Sequence, residues 1–295
     1  MKKIVMGGQA VIEGVLMRAP NHYAVAVRKS NKKITVMTKK FISYTKRNRF
    51  FGLPFVRGIV VLIETVGIGS KALTYSANES VDEKEDELTK SELVFTLVIS
   101  ILAALLIFKF IPLLLANLFS KSLGLNNFWF NLADGLIKIG MFVLYLWVIS
   151  LMKDVQRMFE YHGAEHMAVH CYESKKKLTV ENVRKFKTMH PRCGTEFLLL
   201  VLIISILFYM FIPLGANFWT KYVIRILLLP VIAGFSYEVL RISGKHYDNW
   251  FFKVISAPGM MLQKITTKKP SNDQIAVAIK SLQAALKAEM KYQKK

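Results

Sequence analysis

His162, Glu165 and His166 stand in the order HxxEH, and His190 and Cys193 follow as HxxC. Four of the six histidines, His162, His166, His170 and His190, share one short window with both cysteines, Cys171 and Cys193. On a helix, residues i and i+4 lie on one face, so the imidazoles of His162 and His166 can chelate a single cation with Glu165 beside them. HxxEH is the order found in inverted zinc hydrolases. Zinc takes four ligands in a tetrahedron, so two histidines need partners. His190 and Cys193 can supply them. Glu238 is the other candidate, as an ionisable residue within an apolar stretch, although Arg241 three residues on can claim it as an ion pair. Four protein ligands would close the site as a structural one; three and a water would leave it catalytic, with Glu165 taking a proton from a water whose pKa the ion brings to about 7. Both readings stay open at this level. His170 and His246 read as rings presented to lipid headgroups, and Cys171 as a small buried apolar residue.

The elements around this window are strongly apolar. With 53% hydrophobic residues and a mean hydropathy of +0.33, the chain is too apolar for a soluble domain. Stretches 93–118, 128–152, 197–214 and 218–240 each approach the ~20 residues that cross a hydrocarbon core of about 30 Å. They predict four transmembrane helices. Lys109, Lys138 and Arg225 interrupt them, and a charge near the bilayer centre costs at least ~2.5 kcal/mol, so these three must pair or reach an interface.

Of 41 Lys and Arg, 32 fall in residues 1–53, 153–193 and 241–295. The positive-inside rule then places both termini and the central loop in the cytoplasm, in a multi-pass inner-membrane protein. The net charge of +21 is read as a topology signal and an attraction to anionic lipid headgroups. Sequence-specific nucleic-acid binding is not expected, because basic residues are not interleaved with stacking aromatics outside the spans. Cysteines on the cytoplasmic side stay reduced, so no disulfide is expected. The N-terminus has no apolar signal core, so the first span serves as the insertion signal.

Residues 1–53 read as a small cytoplasmic β unit. Tyr23, Val25 and Val27, then Ile34 and Val36, alternate around a polar turn and predict a hairpin, while glycines punctuate MGGQAVIEGVLMR as a further strand with a tight turn or a loop approaching a ligand. Residues 54–78 predict an amphipathic cytoplasmic helix opened by Pro54, and 79–92 an acidic linker. The region 93–152 holds spans one and two, 153–196 the His/Cys motifs with a helix over KDVQRMFEYHGAEHMAVHCYE, and 197–240 spans three and four. Residues 241–295 form an interfacial segment with a Pro258-Gly259 turn, then an amphipathic helix with Ile275, Ile279, Leu282 and Leu286 on one stripe.

GGQAVIEGVLMR at 7–18, YHGAEH at 161–166, HPRCGTEF at 190–197, SYEVLR at 236–241 and PGMMLQKITTKKP at 258–270 resemble the YqhQ-type family of bacterial membrane proteins. The resemblance covers nearly the whole chain and implies a predicted metal-dependent enzyme. It also implies that Gln9, Glu13 and Arg18, with Arg192 and Arg241, belong to the motif positions. The glycine-bearing N-terminal segment would fold over the metal helix to close a pocket, or else form a tight structural turn. Lys268 and Lys269 stand where the family pattern leads one to expect an acidic residue before Pro270, which weakens any charge-dependent role of that segment.

These observations predict a zinc-dependent hydrolase at the cytoplasmic membrane surface, with Glu165 as base. The competing reading is a non-enzymatic assembly factor that docks its basic face on a translocon, the ribosome or anionic lipid. A homo-oligomer is compatible with either. A transporter fits less well, since four spans offer no paired broken helices to build a midplane site.

Overall fold

The computed structural model describes residues 4–80, 90–213, 215–247 and 249–294. Most of the acidic linker, 81–89, lies outside the described residues. Four strands open the chain: β1 (Gly7–Val11), β2 (Gly14–Arg18), β3 (His22–Arg28) and β4 (Ile34–Lys40), paired antiparallel in sequence order. The hairpin read at Tyr23 to Val36 is β3–β4, and the glycine-punctuated segment before it is a second hairpin, β1–β2. The helices are α1 (Tyr44–Arg47), α2 (Val56–Ser80), α3 (Lys90–Leu105), α4 (Ile111–Leu123), α5 (Asn127–Ile149), α6 (Lys153–Glu173), α7 (Val180–Val183), α8 (Gly194–Tyr209), α9 (Phe218–Leu227), α10 (Leu229–Lys245), α11 (Trp250–Thr266) and α12 (Asn272–Gln293).

Both faces of the sheet are covered. Strand side chains alternate in direction, so Val15, Met17, Ala24 and Ala26 pack on α6 and α12, while Leu16, Tyr23, Val25 and Val27 pack on α2 through Ile68 and Ala72. The stripe on α12 is therefore a core face: Ile275, Ile279 and Leu282 are buried against the sheet and α6. Ser271 and Gln274 start that helix with a reciprocal capping box.

Among the described residues, two helices are long and apolar enough to cross a membrane: Val94–Leu123, which runs through a π-helical turn at Leu106–Phe110, and Asn127–Ile149. The other two expected spans depart from that reading. Stretch 197–214 yields only the 16-residue α8, about 24 Å long at 1.5 Å per residue. Stretch 218–240 is a pair, α9 and α10, bent by 44°. Pro230 opens α10, and a proline there cannot donate back across the junction. If the bent pair counts as one span, three helices qualify. The Pro258-Gly259 turn is also not formed, since both residues lie inside α11. Gly259 packs so closely on α8 that a Cβ there would fall 2.8 Å from Glu196 Cβ, so glycine lets the two helices approach.

The three interrupting cations do pair. Lys138 is joined to Asp134, Arg225 Nη1 lies 2.7 Å from Asp134 Oδ2, Arg225 Nη2 donates to Asn131 Oδ1 at 2.8 Å, and Lys109 Nζ donates to Tyr209 Oη at 3.0 Å.

Candidate metal centre

Helix α6 carries the HxxEH residues, and its stretch from Tyr161 to Cys171 is buried almost all round. Tyr161, Ala164, Ala168 and Cys171 face the core made with the sheet and α12, which leaves His162, Glu165 and His166 toward the segments that end α11 and precede α8. Gly163 makes this close approach feasible. A Cβ there would collide with the carbonyl oxygen of Lys268, so glycine lets the end of α11 lie against α6. That proximity brings Thr266 O to 2.8 Å from His162 Nδ1.

His166 is fixed in the same manner, with Nδ1 2.5 Å from Thr188 O. A carbonyl only accepts, so each Nδ1 carries the proton and each Nε2 keeps its lone pair. These lone pairs converge on the thiol of Cys193, whose Sγ is 3.2 Å from His162 Nε2. Ligand atoms from His162, His166 and Cys193 all lie within 4.8 Å of one another. Backbone carbonyls holding the far ring nitrogens are the usual outer support of histidine metal ligands. Two imidazoles and a thiolate are the donors zinc prefers.

Glu165 stands beside them, its Oε2 3.4 Å from His166 Nε2. Burial pushes its carboxyl up to about 8, burial likewise holds His166 well below the usual histidine value, and burial raises the Cys193 thiol. A cation among these groups would reverse the bias on Glu165 and Cys193, because it favours their negative forms. Gly7 and Gly8 roof the site together with Met6, over a cavity of about 40 Å³. A Cβ on Gly8 would fall 2.7 Å from Glu165 Cγ, so only glycine lets the strand lie this close to that carboxyl.

His190 joins a neighbouring group with His170 and Glu173, whose ligand atoms also lie within 4.8 Å of one another. This group is tied to the HPRC segment by hydrogen bonds. Arg192 N–H donates to His190 Nδ1 at 3.2 Å, which puts the ring proton on Nε2, facing Glu173 Oε2 at 3.4 Å. Arg192 pairs with the other Glu173 oxygen, and His170 Nε2 donates to Met189 O at 2.9 Å. Burial lowers His190 to about 4 and lowers His170, which disfavours the charged form of both rings. His170 is therefore no headgroup ring: it stacks on Phe186 and lies against His190. Cys171 is buried in the core, as expected.

Glu238 is not brought to the centre. Its carboxylate binds Arg57 through both oxygens, accepts Phe55 N–H at 3.3 Å and lies 4.0 Å from Arg241, so it ties α10 to the start of α2. The N-terminal motif divides in the same way. Gly7 and Gly8 line the site, whereas Glu13 pairs with Arg157 and accepts from Tyr161 at 3.1 Å, Arg18 lies 3.5 Å from Glu64, and Gln9 rests on Gly69. These three fasten the sheet to α6 and α2. Sequence reasoning missed Gln263, a fully buried side chain whose amide accepts His190 N–H at 2.8 Å and donates to His190 O at 2.9 Å. It lies within the 258–270 motif that carries the family resemblance, in a segment whose composition suits a membrane interface and so hides this role.

A mostly helical protein with a four-stranded antiparallel sheet, two to three membrane-length apolar helices and a roofed His/His/Cys cluster is thus the class that fold and site define. The chain belongs to the family described as protein of unknown function (DUF1385), whose model matches residues 53–288. It is 33% identical over 296 residues to the Bacillus subtilis (strain 168) protein described as "Uncharacterized protein YqhQ", covering 96% of this chain and 92% of that one. The YqhQ-type resemblance read from the motifs therefore holds. No solved structure matches the chain.

Proposed function

We propose that this protein is a zinc-dependent hydrolase embedded in the cytoplasmic membrane, with its site, both termini and central loop on the cytoplasmic side. One observation carries the reading: the Nδ1–H groups of His162 and His166 are both spent on backbone carbonyls, so two lone pairs and the Cys193 sulfur are turned toward one point. Such a point takes a cation with three protein ligands, which is the coordination of catalytic rather than structural zinc. Bound zinc supplies a Lewis acid and an acidified water. The chain's own residues do the rest. Glu165 accepts the proton from the attacking water and returns it to the leaving group, while Gly7 and Gly8 limit access from above.

The test is elemental analysis of the full chain purified in detergent without chelator. We expect about one zinc per chain, lost in His166→Ala and kept in Glu165→Gln. A folded, metal-free wild type that refuses zinc on reconstitution would end the proposal. The membrane arrangement is supported by the apolar helices and by the distribution of Lys and Arg, and reporter fusions at both termini check it.

A further inference from the structure

The strand that roofs the site has a free edge. In the β1–β2 pair, Val11 and Gly14 close the hairpin, and the partners two residues further on are Gln9 with Leu16 and Gly7 with Arg18. These residues exchange the ladder bonds, so the N–H and C=O groups of Gly8 and Ala10 point away from β2. β1 is an outer strand, and among the described residues nothing bonds those outward groups. The opposite edge of the sheet, β4, carries Lys39 and Lys40, the charges that ordinarily keep an edge from pairing. β1 reads GGQAV, with no charge and no proline, and Gly7 and Gly8 are exposed. On one side of Gly8 lies Glu165; on the other opens a cavity of about 430 Å³ lined by Val5, Met6, Leu16 and Ile68, with Arg18 and Arg192 at its polar points.

We infer that the substrate is a polypeptide in extended conformation, which adds as a strand to the free edge of β1 and places one side chain in that cavity. This deepens the hydrolase reading and rests on it. Alternating donors and acceptors along an extended edge match another extended backbone, which supplies the complementary series at the same repeat. An amide of that backbone then lies beside Glu165. The reaction is hydrolysis: the water oxygen bonds to the carbonyl carbon, the C–N bond breaks, and the proton taken by Glu165 passes to the departing nitrogen, with no oxidant or reductant involved.

The test incubates the zinc-loaded full chain with a peptide library from a trypsin-digested bacterial lysate and counts new termini by mass spectrometry, with Glu165→Gln as the blank. Ala10→Pro removes one outward N–H without touching the ladder, because position 10 does not bond to β2. Its cleavage should fall about tenfold at unchanged zinc content. Thr65→Trp narrows the cavity from α2 and should change which residue flanks the cut. The inference is overturned if zinc-loaded wild type releases no new termini. It is equally overturned if Ala10→Pro, holding full zinc, cleaves at the wild-type rate and Thr65→Trp leaves the cleavage pattern unchanged. A wild type that takes up no zinc removes the hydrolase reading itself, an outcome read from metal content alone.

Discussion

Two groups of ligand-type side chains sit side by side along α6, and they have opposite fates. His162 and His166 turn their Nε2 atoms toward the Cys193 sulfur and Glu165, whereas His170, Glu173 and His190 stand just as near one another but are tied to the HPRC segment through Met189 O and Arg192. Proximity is the same in both. What differs is where the ring protons lie, and backbone groups decide that: carbonyls at Thr266 and Thr188 take the Nδ1 protons in the first group, while the Arg192 amide donates into His190 Nδ1 in the second. On the proposed reading the first group receives a cation, while the second braces the HPRC segment that delivers Cys193.

The largest expected effect falls on the first group. His166→Ala should take zinc from about one per chain to none and hydrolysis to background; retention of stoichiometric zinc would erase the distinction between the groups. Glu165→Gln should keep the metal and slow hydrolysis by roughly 10²–10⁴-fold, the usual contribution of a positioned general base, as measured by turnover beside metal content. Next comes Gln263→Leu, which orphans the buried N–H and C=O of His190. Thermal unfolding should report a loss of about 1–3 kcal/mol, and zinc affinity should fall as Cys193 loses its support. In the second group, Glu173→Gln should cost about 1 kcal/mol and leave zinc at the wild-type level. Loss of one equivalent of metal there would make it a site after all. The smallest effect is expected from reversing Lys175, Lys176 and Lys177 together, which should leave metal and hydrolysis unchanged. If that triple variant abolished cellular function while Glu165→Gln did not, the protein would act as a docking factor.

Much of this could be read before any tertiary information. The hairpin at Tyr23 to Val36 followed from period-two alternation, and α6 from the helical run around HxxEH. The cost of a lone charge in hydrocarbon required Lys109, Lys138 and Arg225 either to pair or to reach an interface, and left that choice open. Other features were out of reach. The α12 stripe showed an apolar face but not its partner. Pro258-Gly259 looks like a turn because local propensity says so, yet both residues lie inside α11, where Gly259 packs on Glu196 of α8. Glu238 was a reasonable third ligand until Arg57, remote in sequence, proved to hold it.

By itself, then, the sequence determined which residue types were present at helical spacing, how apolar the helices are, and which family the chain joins. Choosing Cys193 over His190 and Glu238, and separating two look-alike clusters on one helix, fell to the tertiary structure. The physical reason is that a lone pair is free or spent according to groups that meet it through space, and here those groups are carbonyls and amides that every residue carries, which no residue type announces.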